Sequence, residues 1–458
     1  MLISDGSDAS DITKYLLESL GKKYIELVGT KYKKDLGKYS EEVLNKIKYI
    51  METDNVLILR NLDMIYPSLY DLFNQNFTIM GDKRYARIAF EYAKISSEVN
   101  KDFHVVVIVN KNQIQNLKLD PPFLNRFEKH IVNFNMLLEE KDIEIAKKIS
   151  GYLSLISSFN KNKKLKIDLE KLLINCKQHN IEGLIFKIKN DFHKLQKENN
   201  QENWINKEGA EYEENMYKEI LKKIVPTFCQ DIIASILLLE KKLKQYKKLK
   251  DIIIEIYKKS IHSNFESFFK NIEMRRNVIY TFSKITETLF EKDKIIENKF
   301  GKFDAQSIIS GEIDSINSEN ELIFLLKSFT NENKKVLILQ FNEKHLNKIN
   351  SINYVINNFQ KEIQKLDDKL IILLIHKQRT IKTEKAKKRR VIPDYIPFID
   401  DNYNQIFIDN LKGIENLNVL QIMQKKNQDL VKDYIENSDF IEKKIFTVLN
   451  CLKYKSFI

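Results

Sequence analysis

In "LDPPFLNRFEKHIVNF" (residues 119–134) an arginine, Arg126, stands between a Pro-Pro break and an apolar, strand-like run. In ring ATPases an arginine so placed lies at a subunit edge and stabilises the charge developing on the neighbour's γ-phosphate. The same position equally suits an ion pair with Glu128 or another surface acid, which contributes under ~1 kcal/mol when exposed. Two further apolar runs end in polar residues. "FHVVVIV" (103–109) is followed by Asn110, placed either to sense a γ-phosphate or to cap a strand end in a turn. "NVLIL" (55–59) is followed by Arg60 and Asn61, with Asp63 two residues on. The corresponding strand of a P-loop ATPase ends in acids that hold magnesium and activate water. Asn61 orients water weakly and cannot act as a general base, so Asn61 and Asp63 form a poor hydrolytic centre.

The phosphate-binding half of such a site is absent from the sequence. G-x-x-x-x-G-K-[ST] supplies backbone amides and a lysine that cradle nucleotide phosphates. Its nearest approach, "GTKYKKDLGKYS" (29–40), sets Gly29 and Gly37 too far apart and follows Lys38 with Tyr39. Gly-x-Gly-x-x-Gly, Ser-x-x-Lys and His-Glu-x-x-His are missing as well. The three cysteines, Cys176, Cys229 and Cys451, are far apart, and the seven histidines are dispersed. They give neither a zinc-ligand pattern nor a disulfide framework, which suits a reducing compartment.

The elements that must position these residues follow from hydropathy. Over 1–135, β-branched runs flank "PSLYDLFNQNF" (67–77), whose Pro-Ser start and spacing of Leu69, Leu72 and Phe73 predict a helix. The β–α–β order predicts an α/β sheet with parallel strands. Over 136–270 apolar residues recur at i, i+3, i+4 and i+7, predicting packed amphipathic helices, with Pro226 breaking or kinking one of them. From 271 strand signals return in "NVIYTF" (277–282), "KVLILQF" (335–341), "LIILLI" (370–375) and "QIFIDNL" (405–411). Helical stretches, "SENELIFLLKSF" and "YVINNFQKEIQKL", separate them. The expected architecture is therefore α/β plus α: an α/β unit (1–135), a helical connection (136–270) and a second α/β unit (271–458).

Composition bounds the function classes. The chain has 458 residues, 43% apolar and 31% charged, with 11 glycines and 6 prolines. This is the composition of a folded, helix-rich chain rather than a disordered one. The net charge of +12 comes from lysines interleaved with acids. It brings with it no aromatic RNA-binding pattern and no zinc module, so nucleic-acid binding is not the favoured reading. Lysine-dense "NKNKKLK" (160–166) and "KKLKQYKKLK" (241–250) fit solvated helix ends or connections, and "KTEKAKKRR" (382–390) fits a loop. "IIASILLL" (232–239) and "LIILLI" fall short of the ~20 residues of a membrane span. The N-terminus, "MLISDGSDASD", lacks the basic and apolar regions of a signal peptide. A soluble, cytoplasmic chain is expected.

Several stretches occur together in one order: "VGTKYKKD", "IKYIMETDNVLILRNLDMIYPSLYDLFNQNF", "DKRYARIAF", "FHVVVIV" and "PPFLNRFEKH". They resemble the AAA+ core of the mysterin-type giant ring ATPases and RING-finger ubiquitin ligases, most closely over about 24–135. Weaker echoes follow in "ILKKIVPTFCQDII", "IYTFS", "KVLILQFNEKH" and "QIFIDNL". The resemblance implies a partial AAA+ unit that begins after its P-loop, a helical connection, and part of a second, degenerate AAA+-like unit. It implies ATP and Mg2+ in the intact assembly, with none assigned to this chain alone. Partners would be the neighbouring AAA+ units of the same ring, and the ubiquitin machinery only through a RING that these residues lack. Arg126 matches the family's "NR" and would act as a finger toward the preceding unit's nucleotide, with Asn110 as sensor. Two departures stand out. Pro67 replaces a glutamate that is a candidate for the water-activating group, and "YTFSK" (280–284) has no glycine where the second P-loop would lie. The competing expectation is a catalytically inactive AAA+-like scaffold or partner-docking module.

Overall fold

A computed structural model describes residues 1–4, 8–29, 36–90, 94–115, 119–159, 173, 176–198, 209–238, 246–260, 276–281, 308–313, 315–331, 336–342, 355–356, 369–377 and 403–407. Five strands of the N-terminal region form one parallel sheet: β1 (Leu2–Ser4), β2 (Tyr24–Val28), β3 (Val56–Arg60), β7 (His104–Asn110) and β8 (His130–Ile131). Their order is β2-β3-β7-β1-β8. The register pairs Val56 with His104 and Arg60 with Ile108, and Ser4 with Asn110. The near-continuous apolar runs of β3 and β7 suit strands covered on both faces. Leu57, Ile58, Leu59 and Val107 are all fully buried.

Helix α1 (Asp8–Ser19) follows β1, and its Ala9 packs with Ile58 and Ile108. Helix α2 (Leu36–Met51) contributes Val43, Leu44, Ile47 and Met51 to the larger core, together with Leu57, Leu59, Val107 and Val109. Odd and even residues of β3 thus serve different cores, as the pleat requires.

Three features depart from the expected elements. First, the sheet includes an N-terminal strand that hydropathy did not predict. Strand β1 lies inside the sheet and leads to α1, although the residues between them, Asp5-Gly6-Ser7, carry no Gly-Lys-Ser/Thr. Three strand residues are too few to give a periodic signal. Second, 67–77 is not one helix. Tyr66–Leu69 is a 3-10 turn with Pro67 in its first positions, and α3 (Tyr70–Phe73) adds a single turn. Gln75 then turns the chain with φ 56°. An antiparallel three-stranded sheet follows, β4 (Thr78–Met80), β5 (Lys83–Ala89) and β6 (Lys94–Val99), so the β–α–β crossover carries a β insert. Third, of the strand-like run after Arg126 only His130–Ile131 pairs into the sheet.

The helices expected after 136 are α6 (Glu140–Phe159), α7 (Gln178–Glu198), α8 (Ala210–Ile224), α9 (Gln230–Leu238) and α10 (Lys247–Ser260), after the short α4 (Lys111–Gln115) and α5 (Pro121–Leu124). Pro226 ends α8, where Val225–Thr227 forms a 3-10 turn and Phe228 is extended. Fully buried Asp142 on α6 accepts from the phenol of Tyr212 on α8, while Lys189 on α7 lies 2.8 Å from its Oδ2. These helices share a core with a second parallel sheet.

That sheet contains β9 (Arg276–Thr281), β10 (Ile308–Glu312), β11 (Val336–Asn342), β12 (Leu370–His376) and β13 (Tyr403–Phe407), in the order β10-β11-β12-β9-β13. Helix α11 (Glu319–Asn331) lies between β10 and β11 in the chain. Numbered within each sheet by chain order, the strands of both sheets run 2-3-4-1-5. "IISGE" (308–312) gave no strand signal because Ser310 and Gly311 interrupt its apolar run. "NKNKKLK", "KTEKAKKRR", most of "YVINNFQKEIQKL" and Cys451 lie outside the described residues. Among the described residues no helix is long and apolar enough to cross a membrane.

Candidate functional site

In open parallel sheets, ligands sit beyond the carboxyl ends of the strands, where the strand order reverses. Here that point is the end of β1, since the chain leaves it toward β2 on one side while β8 lies on the other. Ser4 ends β1, Asn110 ends β7 beside it, and Arg60 ends β3 beyond.

The end of β3 is built around charge pairing within the fold. An Arg60 Nη2 lies 3.2 Å from Glu26 Oε1, and Lys14 Nζ lies 2.7 Å from Glu26 Oε2. Ser10 donates a third contact to Glu26 at 2.7 Å. Burial alone would raise the Glu26 pKa. The charges of Arg60 and Lys14, with the hydrogen bonds from Lys14 and Ser10, outweigh it and hold the carboxyl below its ordinary value. Asn61 follows with φ 56°, a left-handed conformation that asparagine tolerates better than most residues. The Gly29 amide donates to the Arg60 carbonyl at 2.8 Å. A Cβ on Gly29 would lie 1.7 Å from the Asn61 carbonyl oxygen, so only glycine fits between these segments.

Asp63 and Asn110 are brought together through Gln113. The Asn110 amide donates to Gln113 Oε1 at 2.9 Å, and Gln113 Nε2 donates to Asp63 Oδ2 at 3.1 Å. Asp63 itself is exposed. Gln113 was missed by sequence reasoning, because nothing in the spacing of residues 63, 110 and 113 predicts that α4 folds back over the β3 end.

Arg126 stands in a different cluster. Pro121 opens α5 at a first-turn position that needs no amide donor, and Arg126 follows the helix by two residues. Its guanidinium carbon lies 3.7 Å from the centroid of the Tyr70 ring, and Nη1 donates to the Pro122 carbonyl. Tyr70 in turn donates to Asp120 Oδ2 at 2.9 Å. Burial, then the hydrogen bond and charge of Asp120, push the Tyr70 pKa up, partly offset by the Arg126 charge. An aromatic cluster backs this site. Tyr66 stacks on Phe123 at 4.6 Å, and Phe73 meets both Phe123 and Phe127. The "YPSLYD" and "LDPPFLNRF" stretches are thus one packed unit, joined by contacts that span fifty residues of chain or more. Pro67 lies exposed at the start of the 3-10 turn, and the Arg126 guanidinium meets Tyr70 and Pro122 rather than Asn61, Asp63 or Asn110.

A family described as "RNF213 AAA domain" matches residues 1–138. Among curated proteins the chain is similar to "E3 ubiquitin-protein ligase RNF213" of Homo sapiens, 29% identical over 110 residues that make up 24% of this chain. The Mus musculus protein of the same name is 31% identical over 96 residues, 21% of this chain. "E3 ubiquitin-protein ligase rnf213-beta" of Danio rerio is 33% identical over 90 residues, 20% of this chain. The matched segment spans 2% of the length of each of these relatives. The parallel α/β sheet of these residues is consistent with the match: over residues 1–138 the chain is similar to an RNF213-type AAA segment.

Proposed function

We propose that residues 1–138 act as a non-hydrolysing AAA unit that contributes to ATP hydrolysis at an adjacent unit of the same ring. The whole assembly would be a mysterin-like ubiquitin ligase of the cytoplasm, which binds ATP with Mg2+ at other units and transfers ubiquitin through a RING outside these residues. Arg126 is the arginine finger, Asn110 the sensor, and Asn61 with Asp63 a vestigial end of the metal-holding strand. The observation that carries this reading is the placement of Arg126. It lies four residues before β8, the terminal strand of the sheet among the described residues, and that edge is taken as the one a neighbouring unit approaches. Its own unit has an Arg60–Glu26 ion pair where acids would hold magnesium.

The shared 2-3-4-1-5 order supports reading 271–458 as a second AAA-like unit and 136–270 as the helical connection. An arginine finger accounts for on the order of 10³-fold in hydrolysis at the site that it serves. Arg126→Ala in the intact ring should therefore abolish most turnover at that neighbouring site while leaving ATP binding there in place. Unchanged single-site turnover removes the finger role. It would leave the second reading, an inactive scaffold, which the Arg60–Glu26–Lys14 network also favours.

A further inference from the structure

We infer that Tyr70 is a positioning residue for Arg126, fixing which edge of the guanidinium meets a phosphate. The inference rests on the finger reading above and adds a geometry to it. An arginine side chain has several rotatable bonds, so an unsupported finger gives up much of its electrostatic contribution as ordering entropy. Here three contacts remove that freedom before any ligand arrives. The Tyr70 ring faces the guanidinium carbon at 3.7 Å, the Pro122 carbonyl takes Nη1, and Asp120 fixes Tyr70 through its hydroxyl at 2.9 Å. The ring face attracts the cation, and attraction across a half-buried interface exceeds that at a fully exposed one.

The same contacts choose the donors. Nε is buried and makes no hydrogen bond to the described residues, so the side-on edge formed by Nε and Nη2 is closed to a ligand. With Nε closed and Nη1 engaged by the Pro122 carbonyl, the phosphate contact is assigned to the end-on edge of Nη1 and Nη2. Two N–H groups of that edge would meet two oxygens of a phosphoryl group, the fork geometry that lysine cannot reproduce.

The test separates positioning from catalysis. Slow rotation of the Arg126 guanidinium, read by 15N NMR of the arginine side chains in this chain, should persist in Tyr70→Phe, which keeps the ring, and be lost in Tyr70→Leu. Melting temperatures of both variants control for simple unfolding. In the intact ring Tyr70→Leu should lower kcat at the served site on the order of ten-fold, about 1.4 kcal/mol, with KM for ATP little changed, and Tyr70→Phe should restore it. If Arg126 rotates equally slowly in folded Tyr70→Leu, the positioning role is overturned. Faster rotation with unchanged turnover in Tyr70→Leu overturns the positioning role in catalysis, whereas unchanged turnover in Arg126→Ala overturns the finger reading itself.

Discussion

Replacing Gly29 by alanine tests whether the end of β3 is built by close approach of two backbones. A Cβ at this position would lie 1.7 Å from the Asn61 carbonyl oxygen, 2.6 Å from its carbon and 3.3 Å from the Leu62 amide nitrogen. These are backbone atoms, so no rotamer change relieves the clash. The β3–Asn61 turn would have to move by more than an ångström, against the 2.8 Å bond from the Gly29 amide to Arg60 and the Arg60–Glu26 pair. Overpacking a well-filled site costs about 1–3 kcal/mol. With rigid backbone on the opposing side, the upper end of about 3 kcal/mol is expected. For a unit of this size that corresponds to a melting temperature lower by roughly 6–12 °C. Gly21→Ala is the matched control, since Gly21 has φ +64° but nothing within 4 Å of its Cβ. It should cost only the left-handed strain, about 1 kcal/mol. Denaturant unfolding of both variants reads the difference. If Gly29→Ala costs no more than Gly21→Ala, the close approach is not what defines this corner.

Lowering the pH should expose the Glu26 network. Its carboxyl titrates below its ordinary value in the fold, so its stabilisation is complete above the unfolded value of 4.5 and fades as the pH falls through the native pKa. Urea unfolding below pH 4.5 should thus weaken the wild type more steeply than Glu26→Gln, which at pH 7 is itself less stable by about 3 kcal/mol because Arg60 loses its partner. Equal slopes refute the assignment. In the helical region Lys189→Met should destabilise by roughly 3–5 kcal/mol by leaving fully buried Asp142 without its cation. A melt within 1 °C of wild type would show that the Tyr212 contact suffices.

The sequence conveyed long apolar strands well and short or composite elements poorly. "NVLIL", "FHVVVIV" and "LIILLI" are apolar on both faces, a pattern only buried parallel strands require, and each appears as expected. Strand β1 has three residues, and β8 has two, below any periodic signal. The "SLYD" segment followed helical spacing, yet Pro67 and the turn at Gln75 cut it to one 3-10 turn and one α-turn. Residue types singled out Arg126, Asn110, Asn61 and Asp63 as candidates, but their partners were hidden. Tyr70 and Asp120 are fifty residues apart, and Glu26 has no local mark of its role as the acceptor of three donors.

Strand order and ligand chemistry rest on different residues in this chain. Each sheet keeps its order through buried apolar strands, Leu57 to Leu59 and Val107 in one, Leu337 and Ile372 to Leu374 in the other. Burial stabilises these at about 25 cal/mol per Å2 whether or not a nucleotide is bound. Ligand chemistry instead depends on residues just past the strand ends, which change without disturbing the core. At the end of β3 stands Arg60, whose charge is neutralised by Glu26 on the adjacent strand. A divalent cation brought there would face the guanidinium, and freeing Glu26 to receive it would strip Arg60 and Lys14 of their shared partner. The site resists metal for the same reason that it is stable. Arg126 does not share this constraint, because Tyr70, Asp120 and Pro122 hold it outside that network. Under the proposed function such a unit serves a neighbour's phosphate through Arg126, while the end of its own β3 remains closed by internal charge.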